Sequence, residues 1–190
     1  MIDRLKRLRN WQIFIVAIII GFFLMLGWII VDDIQRKLLL SSWSLTNEIS
    51  VTGQINKAKL LSARGQGFVS IIDLRPDGED EDEPDSASIE KAAALLGLQF
   101  HYVPVPHGEI PEAAVEGLRQ ALDDSPRPVL LYCRSGRRAV RTWALMEASH
   151  TNGLSETDIQ KAAVYAAQDI KDLIPDIERR IASRSTGGRT

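Results

Sequence analysis

The sequence is poor in cysteine, since Cys133 is the only one among 190 residues. One thiol excludes an internal disulfide, a CxxC redox pair and a cysteine-rich metal site, so Cys133 is either a buried packing residue or a reactive one. The formal net charge of -2 offers no strongly basic surface for nucleic acid. The sequence also lacks a Gly-rich dinucleotide motif and a ligand cluster at metal-binding spacing, so we expect no cofactor and no metal ion.

Charged residues are missing from one long stretch near the amino terminus. Trp11 to Val31 forms an uncharged run of about twenty residues, which is the length that spans a bilayer. This predicts a transmembrane helix over 11–31, with the lipid bilayer as a partner. A cleaved signal peptide is the alternative, but LGWIIVDD offers no small-x-small cleavage site. Basic residues in segment 1–10 predict a cytoplasmic amino terminus, hence a single-pass inner-membrane protein whose soluble domain faces the periplasm.

Beyond residue 47, short apolar runs alternate with amphipathic segments. Strands are predicted at 49–51, 68–74, from 100 and at 128–133, and helices at 57–64, 86–96, 111–122, 137–150, 155–167 and 170–182. This alternation predicts an α/β fold in which helices flank a central, mostly parallel sheet, with sites beyond the carboxyl ends of the strands.

The same pattern divides the chain into segments. A juxtamembrane linker is predicted over 32–47, one domain over 48–182 and a flexible tail over 183–190. The acidic run RPDGEDEDEPD, residues 75–85, is typical of a solvated loop because it combines charge with Gly and Pro.

The sequence YCRSGRR, residues 132–138, joins a predicted buried strand to a predicted helix. Such a loop points several backbone N–H groups at one place, where the positive end of the helix also favours an anion. The predicted anion-binding loop comprises Arg134, Ser135, Gly136, Arg137 and Arg138. Gly136 permits a tight turn, and Arg138 is the candidate that binds two oxygens of a tetrahedral anion. The same field stabilises a thiolate, which makes Cys133 the candidate nucleophile.

The wider sequence resembles a known family through the order and spacing of its segments, which are SVTGQI, VSIIDLRPDGEDEDEP, FHYVPVP, PVLLYCRSGRRAVRTWAL and the final helices. From about residue 45 to residue 181 it is similar to the phosphatase-like domain of beta-lactamase-hydrolase-like proteins. That resemblance implies a dual-specificity-phosphatase-like fold, with Cys133 as nucleophile and Arg138 as anion clamp. The loop YCRSGRR equally resembles the active-site loop of rhodanese sulfurtransferases.

Three features depart from the signature of tyrosine phosphatases. Arg138 follows Cys133 by five residues, the spacing of rhodanese loops, whereas the phosphatase arginine follows by six, where this chain has Ala139. Tyr132 stands in place of the histidine that precedes the phosphatase cysteine, and Ala139 in place of the Ser or Thr that follows its arginine. The loop expected to supply an aspartic acid as proton donor reads PVPHGEIP, so His107 or Glu109 must serve.

Asp73 and Arg75 lie at the end of a strand next to the predicted site. Both are expected either to orient the loop through an ion pair or to form a purely structural pair.

Three functions fit these observations. The first is a membrane-anchored hydrolase that cleaves a phosphate ester through a cysteinyl-phosphate intermediate. The second is a sulfurtransferase that carries a persulfide on Cys133, and the third is a non-catalytic anion-binding domain. The expected partner is therefore a small molecule or protein that bears phosphate or sulfane sulfur; the sequence gives neither the substrate nor the oligomeric state.

Overall fold

The computed structural model describes residues 2–186 and divides into two compact units, the first ending at Leu39 and the second beginning at Leu40. The second unit starts before the predicted boundary at residue 48 because Leu40 and Leu45 are buried in its core. Positions 187–190 of the predicted tail lie outside the described residues.

The first unit is one long helix, α1, at Ile2–Leu38. Its segment Trp11–Gln35 has a mean hydropathy of 3.0, and none of that segment is buried. The helix is therefore long and apolar enough to cross a membrane, and a signal sequence would have the same properties.

The second unit contains five strands and six further α-helices among the described residues. In chain order they are β1 Trp43–Ser44, β2 Ile49–Thr52, α2 Lys57–Gly65, β3 Ser70–Asp73, α3 Ser86–Leu95, β4 Gln99–Tyr102, α4 Glu112–Asp124, β5 Val129–Tyr132, α5 Arg137–Ser149, α6 Glu156–Tyr165 and α7 Ile174–Thr186. One turn of 3₁₀ helix at Lys171–Leu173 precedes α7. The sequence predicted all of these elements except β1, the separate 3₁₀ turn and the extension of α7 into the predicted tail.

Side-chain caps fix where three of the helices begin. Asn56, Asp85 and Ser155 accept hydrogen bonds from backbone N–H groups at the starts of α2, α3 and α6. Each cap satisfies a donor that has no partner inside its helix, which is why these polar residues end the preceding loops.

The five strands form one sheet in the order β1-β2-β5-β3-β4. The pairings β2 with β5, β5 with β3 and β3 with β4 are parallel, and β1 pairs with β2 antiparallel. The prediction of a mostly parallel α/β sheet is confirmed. β5 lies in the centre, so the loop that follows it begins at the carboxyl ends of three neighbouring strands.

Alternate side chains of β5 face opposite sides of the sheet. Leu131 and Cys133 belong to the core cluster covered by α4, α5, α6 and α7, whereas Leu130 and Tyr132 belong to the cluster covered by α2 and α3. This period of two follows from strand geometry. Cys133 therefore lies on the α5 side of the sheet, and Tyr132 lies on the opposite side.

Candidate active site

The predicted anion-binding loop connects β5 to α5. Cys133 follows the last residue of β5 and is 1% exposed, and Gly136 is the N-cap residue of α5. The backbone of Gly136 has φ 84°, in the left-handed region that favours glycine. A Cβ atom there would lie 3.4 Å from the carbonyl oxygen of Thr52. The loop therefore needs glycine at 136 for its turn, while an added Cβ atom would only reach van der Waals contact with β2.

A second close approach attaches the loop to the residues after β2. The backbone N–H of Gln54 donates to the carbonyl oxygen of Arg134 at 3.1 Å. A Cβ atom on Gly53 would lie 3.3 Å from the same oxygen. The carbonyl of Arg134 is thus held on the side of β2, which supports the turn of the loop from outside.

Arg138 adjoins the thiol. Its guanidinium lies close enough to Cys133 to interact with the thiol. Burial alone would lower the pKa of Arg138, but the hydrogen bond from Arg138 to Glu79 and the charge of Glu79, together with the contact with Cys133, outweigh it and raise the pKa. Arg138 therefore remains a cation beside the Cys133 thiol.

Some N–H groups of Arg138 bind neighbouring protein groups, and the others remain available at the candidate site. Nη1 donates to Glu79 Oε1 and, at 2.8 Å, to the carbonyl oxygen of Val105, while Nη2 donates to Glu79 Oε2 at 2.6 Å. A guanidinium has five N–H groups in a fixed fork. Three are used by Glu79 and Val105, which leaves the Nε–H and one Nη2–H on the same edge. This remaining edge is suited to two oxygens of a tetrahedral anion.

Glu79 is a residue that the sequence analysis missed. It lies in the acidic run treated as a solvated loop, yet its side chain is only 12% exposed and also accepts a hydrogen bond from Arg75 Nε at 3.1 Å. The hydrogen bond from Arg138, followed by that from Arg75 and by nearby positive charge, lowers the pKa of Glu79 despite partial burial. Gly78, with φ 79°, makes the turn that directs Glu79 inward. That Asp-Gly turn, which places Glu79 four residues after Arg75, was the only available signal in the sequence.

The rest of the acidic run agrees better with the prediction. Asp77, Asp80, Glu81, Asp82 and Asp85 are exposed. Glu83 is partly buried and forms an ion pair with Arg75. The run is thus a solvated loop in which two glutamates bind the arginines of the site.

Asp73 and Arg75 do not form the predicted contact through their side chains. The Arg75 backbone N–H donates to Asp73 Oδ1 at 2.8 Å, whereas the Arg75 guanidinium binds Glu79, Glu83 and, at 2.8 Å, Gln54 Oε1. Asp73 pairs with Tyr132 in the register of β3 and β5 and accepts a hydrogen bond from the Tyr132 hydroxyl. Asp73 therefore binds the residue directly before Cys133.

Burial dominates the ionisation of this pair. It raises the pKa of Asp73 to about 6, although the hydrogen bonds from the Tyr132 hydroxyl and the Arg75 backbone act in the opposite direction. Burial, together with the neighbouring charge of Asp73, also raises the pKa of Tyr132. The hydroxyl of Tyr132 consequently keeps its proton and remains a donor to Asp73.

The two candidate proton donors in the loop before α4 differ in their surroundings. His107 is 70% exposed, and its Nε2 lies 3.3 Å from Glu79 Oε1, which places the imidazole beside the group that holds Arg138. Glu109 is exposed and has no hydrogen bond or ion pair with another residue in the described part of the chain. His107 is thus brought to the site, and Glu109 is not.

The remaining residues of the loop face solvent. Arg134, Ser135 and Arg137 are exposed, and the carbonyl oxygen of Ser135 accepts a hydrogen bond from Gln168 Nε2 at 3.4 Å. Within residues 2–186, no three side chains of His, Cys, Asp or Glu lie together in a way that could hold a metal ion.

Comparison with known proteins connects this geometry to one family. Residues 42–150 match the model of the phosphatase-like domain of beta-lactamase hydrolase-like protein. A beta-lactamase hydrolase-like protein from Xylella fastidiosa is 34% identical over 103 residues, and one from Agrobacterium fabrum is 33% identical over 104 residues. These matches cover 54% and 55% of this chain but only 24% of each relative. The chain therefore spans about a quarter of the length of these curated relatives.

Solved structures match the same region. A candidate phosphatase from Neisseria meningitidis is 29% identical, with a TM-score of 0.64 over 73% of this chain and 96% of that one. The core catalytic domain of the PP-IP phosphatase SIW14 from S. cerevisiae is 18% identical, with a TM-score of 0.54 over 76% of this chain and 92% of that one. The second likeness is one of fold alone. The similarity to a dual-specificity-phosphatase-like fold, expected from the sequence, is confirmed.

Proposed function

Because the chain belongs to the family of phosphatase-like domains of beta-lactamase hydrolase-like proteins, we propose that it is a cysteine-dependent phosphatase that hydrolyses a phosphate monoester. The observation that carries this proposal is the free edge of Arg138 beside Cys133, with the other three N–H groups of Arg138 bound to Glu79 and Val105. The likeness to the Neisseria meningitidis phosphatase candidate, which the chain covers almost completely, supports it.

In the proposed reaction, the thiolate of Cys133 attacks phosphorus and the bond from phosphorus to the ester oxygen breaks. The two free N–H groups of Arg138 and the backbone N–H groups at the start of α5 bind the phosphoryl oxygens, where negative charge develops. The leaving oxygen takes a proton and departs as an alcohol. Water then attacks the phosphorus of the cysteinyl phosphate, which releases inorganic phosphate and restores the thiolate.

We assign the proton donor to His107 rather than Glu109. The contact between His107 Nε2 and Glu79 Oε1 at 3.3 Å places the imidazole beside the residue that orients Arg138, whereas Glu109 has no such contact among the described residues. Asp73 is a less suitable donor, because it binds Tyr132, whose side chain lies on the other side of the sheet from Cys133. Asp73 instead acts through Tyr132 on the position of the loop.

A sulfurtransferase is the second candidate, and the spacing between Cys133 and Arg138 favours it. In that reaction the thiolate attacks the outer sulfur of a sulfane donor such as thiosulfate, the sulfur–sulfur bond breaks and sulfite leaves. This transfer requires no proton donor for the leaving group, so it would need neither His107 nor Glu109. A domain that only binds anions would bind phosphate without turnover of either substrate.

We further propose that α1 anchors the protein in the inner membrane and that the phosphatase-like domain faces the periplasm. The apolar segment Trp11–Gln35 and the basic residues before it support this arrangement.

One experiment separates the three functions. Full-length protein in detergent is supplied with a panel of phosphate monoesters and, in parallel, with thiosulfate and a thiol acceptor, and Cys133→Ser provides the blank. Phosphate release that Cys133→Ser abolishes supports the phosphatase. Sulfite release together with a sulfur bound to Cys133 would show that the protein is a sulfurtransferase instead. Phosphate binding with release of neither phosphate nor sulfite would show that the domain only binds anions.

A further inference from the structure

A groove of about 400 Å³ lies between α6 and α7. Its lining is mostly apolar and includes Val164 near the end of α6, Ala167 just after it, and Ile170 and Ile174 at the approach to α7. Val164 is 75% exposed despite its apolar side chain. An exposed apolar depression beside polar groups is typical of a ligand-binding surface.

The groove adjoins the anion-binding loop through Gln168. This residue lines the groove, and its Nε2 both donates to the carbonyl oxygen of Ser135 and lies 3.7 Å from where a Cβ atom of Gly136 would stand. Its backbone N–H donates to the carbonyl oxygen of Ala163 at 2.9 Å, which attaches it to α6. One side chain therefore separates the apolar groove from the loop that carries the candidate nucleophile.

The backbone at Ala167 is unusual for an alanine. Its φ of 54° lies in the left-handed region, where helices most often end on glycine. The methyl group of Ala167 costs backbone energy that glycine would not, and it adds apolar surface to the groove. The lining thus has an apolar residue with a strained backbone at a position where glycine would adopt the same conformation without strain.

Positive charge lies on the anion-binding loop that adjoins the groove. Arg137 and Arg134 are exposed, and their side chains have no ion pair or hydrogen bond with any residue between positions 2 and 186. Lys171 lines the groove and is exposed. Asp169 also lines the groove, and Asp172 lies three residues further along the chain. Asp169 accepts the Lys171 backbone N–H at 2.9 Å, and Asp172 forms two hydrogen bonds of 2.7 Å with Arg141.

We propose that this groove binds the apolar chain of a membrane lipid phosphate monoester whose phosphate lies on the anion-binding loop. This inference rests on the proposed phosphatase function and specifies its substrate class. The exposed arginines of the anion-binding loop fit an anionic head group and the apolar surface of the groove fits an alkyl chain, which is the charge pattern of such a lipid. The candidate membrane span Trp11–Gln35 gives the chain a lipid surface as its source.

A phosphopeptide fits the groove less well. The lining comes from two helices and the turn between them, and helices satisfy their backbone N–H and C=O groups internally. A bound peptide would therefore find apolar contacts in the groove but few partners for its own backbone, whereas an alkyl chain needs none.

The test uses full-length protein in phosphatidylcholine nanodiscs and a series of alkyl phosphates from ethyl to octyl phosphate. We expect kcat/KM for phosphate release to rise about two- to fourfold with each added methylene, as expected for partial to full burial of that group. Val164→Asn should flatten this dependence. Leu95→Asn is the matched control, because Leu95 is 89% exposed on α3 and does not line the groove, and it should keep the wild-type dependence. Ala167→Gly, which relaxes the backbone, provides a second lining variant and should reduce the dependence in part.

The same series defines the results that overturn the inference. The groove is not a subsite if the wild-type kcat/KM does not depend on chain length, or if Val164→Asn shows the same dependence as the wild type. In both cases the proposed phosphatase function stands. Phosphatidic acid added to the nanodiscs should also be cleaved, and its resistance would overturn the lipid as the substrate. Suppose that Val164→Asn changes the turnover of a phosphotyrosine peptide and leaves that of octyl phosphate unchanged. That result would assign the groove to a peptide.

A failure of the proposed function is recognised separately by binding. If no ester is hydrolysed, Cys133→Ser is titrated calorimetrically with octyl phosphate and with inorganic phosphate. If octyl phosphate binds more tightly than inorganic phosphate and Val164→Asn removes the difference, the groove binds the alkyl chain even though no ester is hydrolysed. Equal affinities for the two anions would show that the groove does not bind the chain.

Discussion

Among single residues of the site, the sequence predicts those of the loop after β5 but not those of the acidic loop. Cys133 and Arg138 could be identified from seven consecutive residues, because strand, glycine and arginine follow one another there. Glu79 could not, because it meets Arg138 across 59 positions of the chain, and nothing local distinguishes it from the other acids of its loop. The supposed ion pair of Asp73 with Arg75 was wrong for a related reason, since Arg75 has stronger partners in a loop whose path the sequence did not define.

Glu79→Gln tests the role of Glu79 in orienting Arg138. We expect kcat/KM to fall about tenfold to hundredfold, because an uncharged amide with one acceptor oxygen cannot hold both nitrogens of Arg138 and the free edge loses its direction. Steady-state phosphate release measures the effect. Glu81→Gln is the matched control, since Glu81 is exposed in the same loop, and it should retain wild-type activity. Equal rates for both variants would show that Glu79 does not position the clamp.

Asp73→Asn tests the buried carboxyl that binds Tyr132, the residue before Cys133. The pKa of Asp73 is raised in the folded state from 3.8 to about 6, so the protonated carboxyl stabilises the fold below about pH 4. That contribution is lost as the pH rises through 6. The shift corresponds to on the order of 3 kcal/mol. Relative to Asp73→Asn, the wild-type free energy of unfolding should therefore fall by up to about 3 kcal/mol between pH 4 and pH 7.

Urea unfolding of the fragment that begins at Leu40 measures this difference. Asp82→Asn serves as the control because Asp82 is exposed in the acidic loop, and its pH dependence should follow the wild type. Parallel curves for wild type and Asp73→Asn would mean that Asp73 does not titrate in this range.

At the scale of elements, the sequence predicted the strands and helices that position the site, because their apolar periods and caps are local. β1 was missed because two residues are too short to show a period. The groove between α6 and α7 was also absent from the prediction, since it depends on how two helices pack and on the left-handed turn at Ala167. The loop between β5 and α5, by contrast, depends on one glycine that the sequence did identify.

Gly136→Ala tests the strain of that turn. An alanine at φ 84° costs roughly 1–2 kcal/mol, and the loop can relieve this strain only by shifting its backbone N–H groups. Gly97→Ala is a matched control, because Gly97 has φ 68° with no atom within 4 Å of the added Cβ. Both variants should lose similar stability in urea, but only Gly136→Ala should also lose phosphate binding and turnover. Full activity in Gly136→Ala would contradict the need for glycine in the loop.

At the scale of the whole molecule, the chain combines one apolar helix with a phosphatase-like domain. The family could be predicted from the order of the segments, which extends over most of the second unit. The location of the domain depends instead on charges around the apolar run, and these act during insertion rather than in the folded protein.

The proposed anchor is tested by fractionation and by a reporter. Alkaline carbonate should fail to extract the full-length protein, because a spanning helix of this hydropathy remains in the bilayer. A reporter fused after Thr190 should be exported. Full-length protein in the soluble fraction would contradict the anchor, and a cytoplasmic reporter would reverse the orientation alone.

The identity of the group carried by Cys133 is the most direct test of the account. Full-length protein turning over its best phosphate ester is quenched in acid, and the peptide that contains Cys133 is examined by mass spectrometry. We predict one phosphoryl group on the sulfur of Cys133, absent from Cys133→Ser. A persulfide sulfur at that position, or continued hydrolysis by Cys133→Ser with no adduct in the wild type, would contradict it.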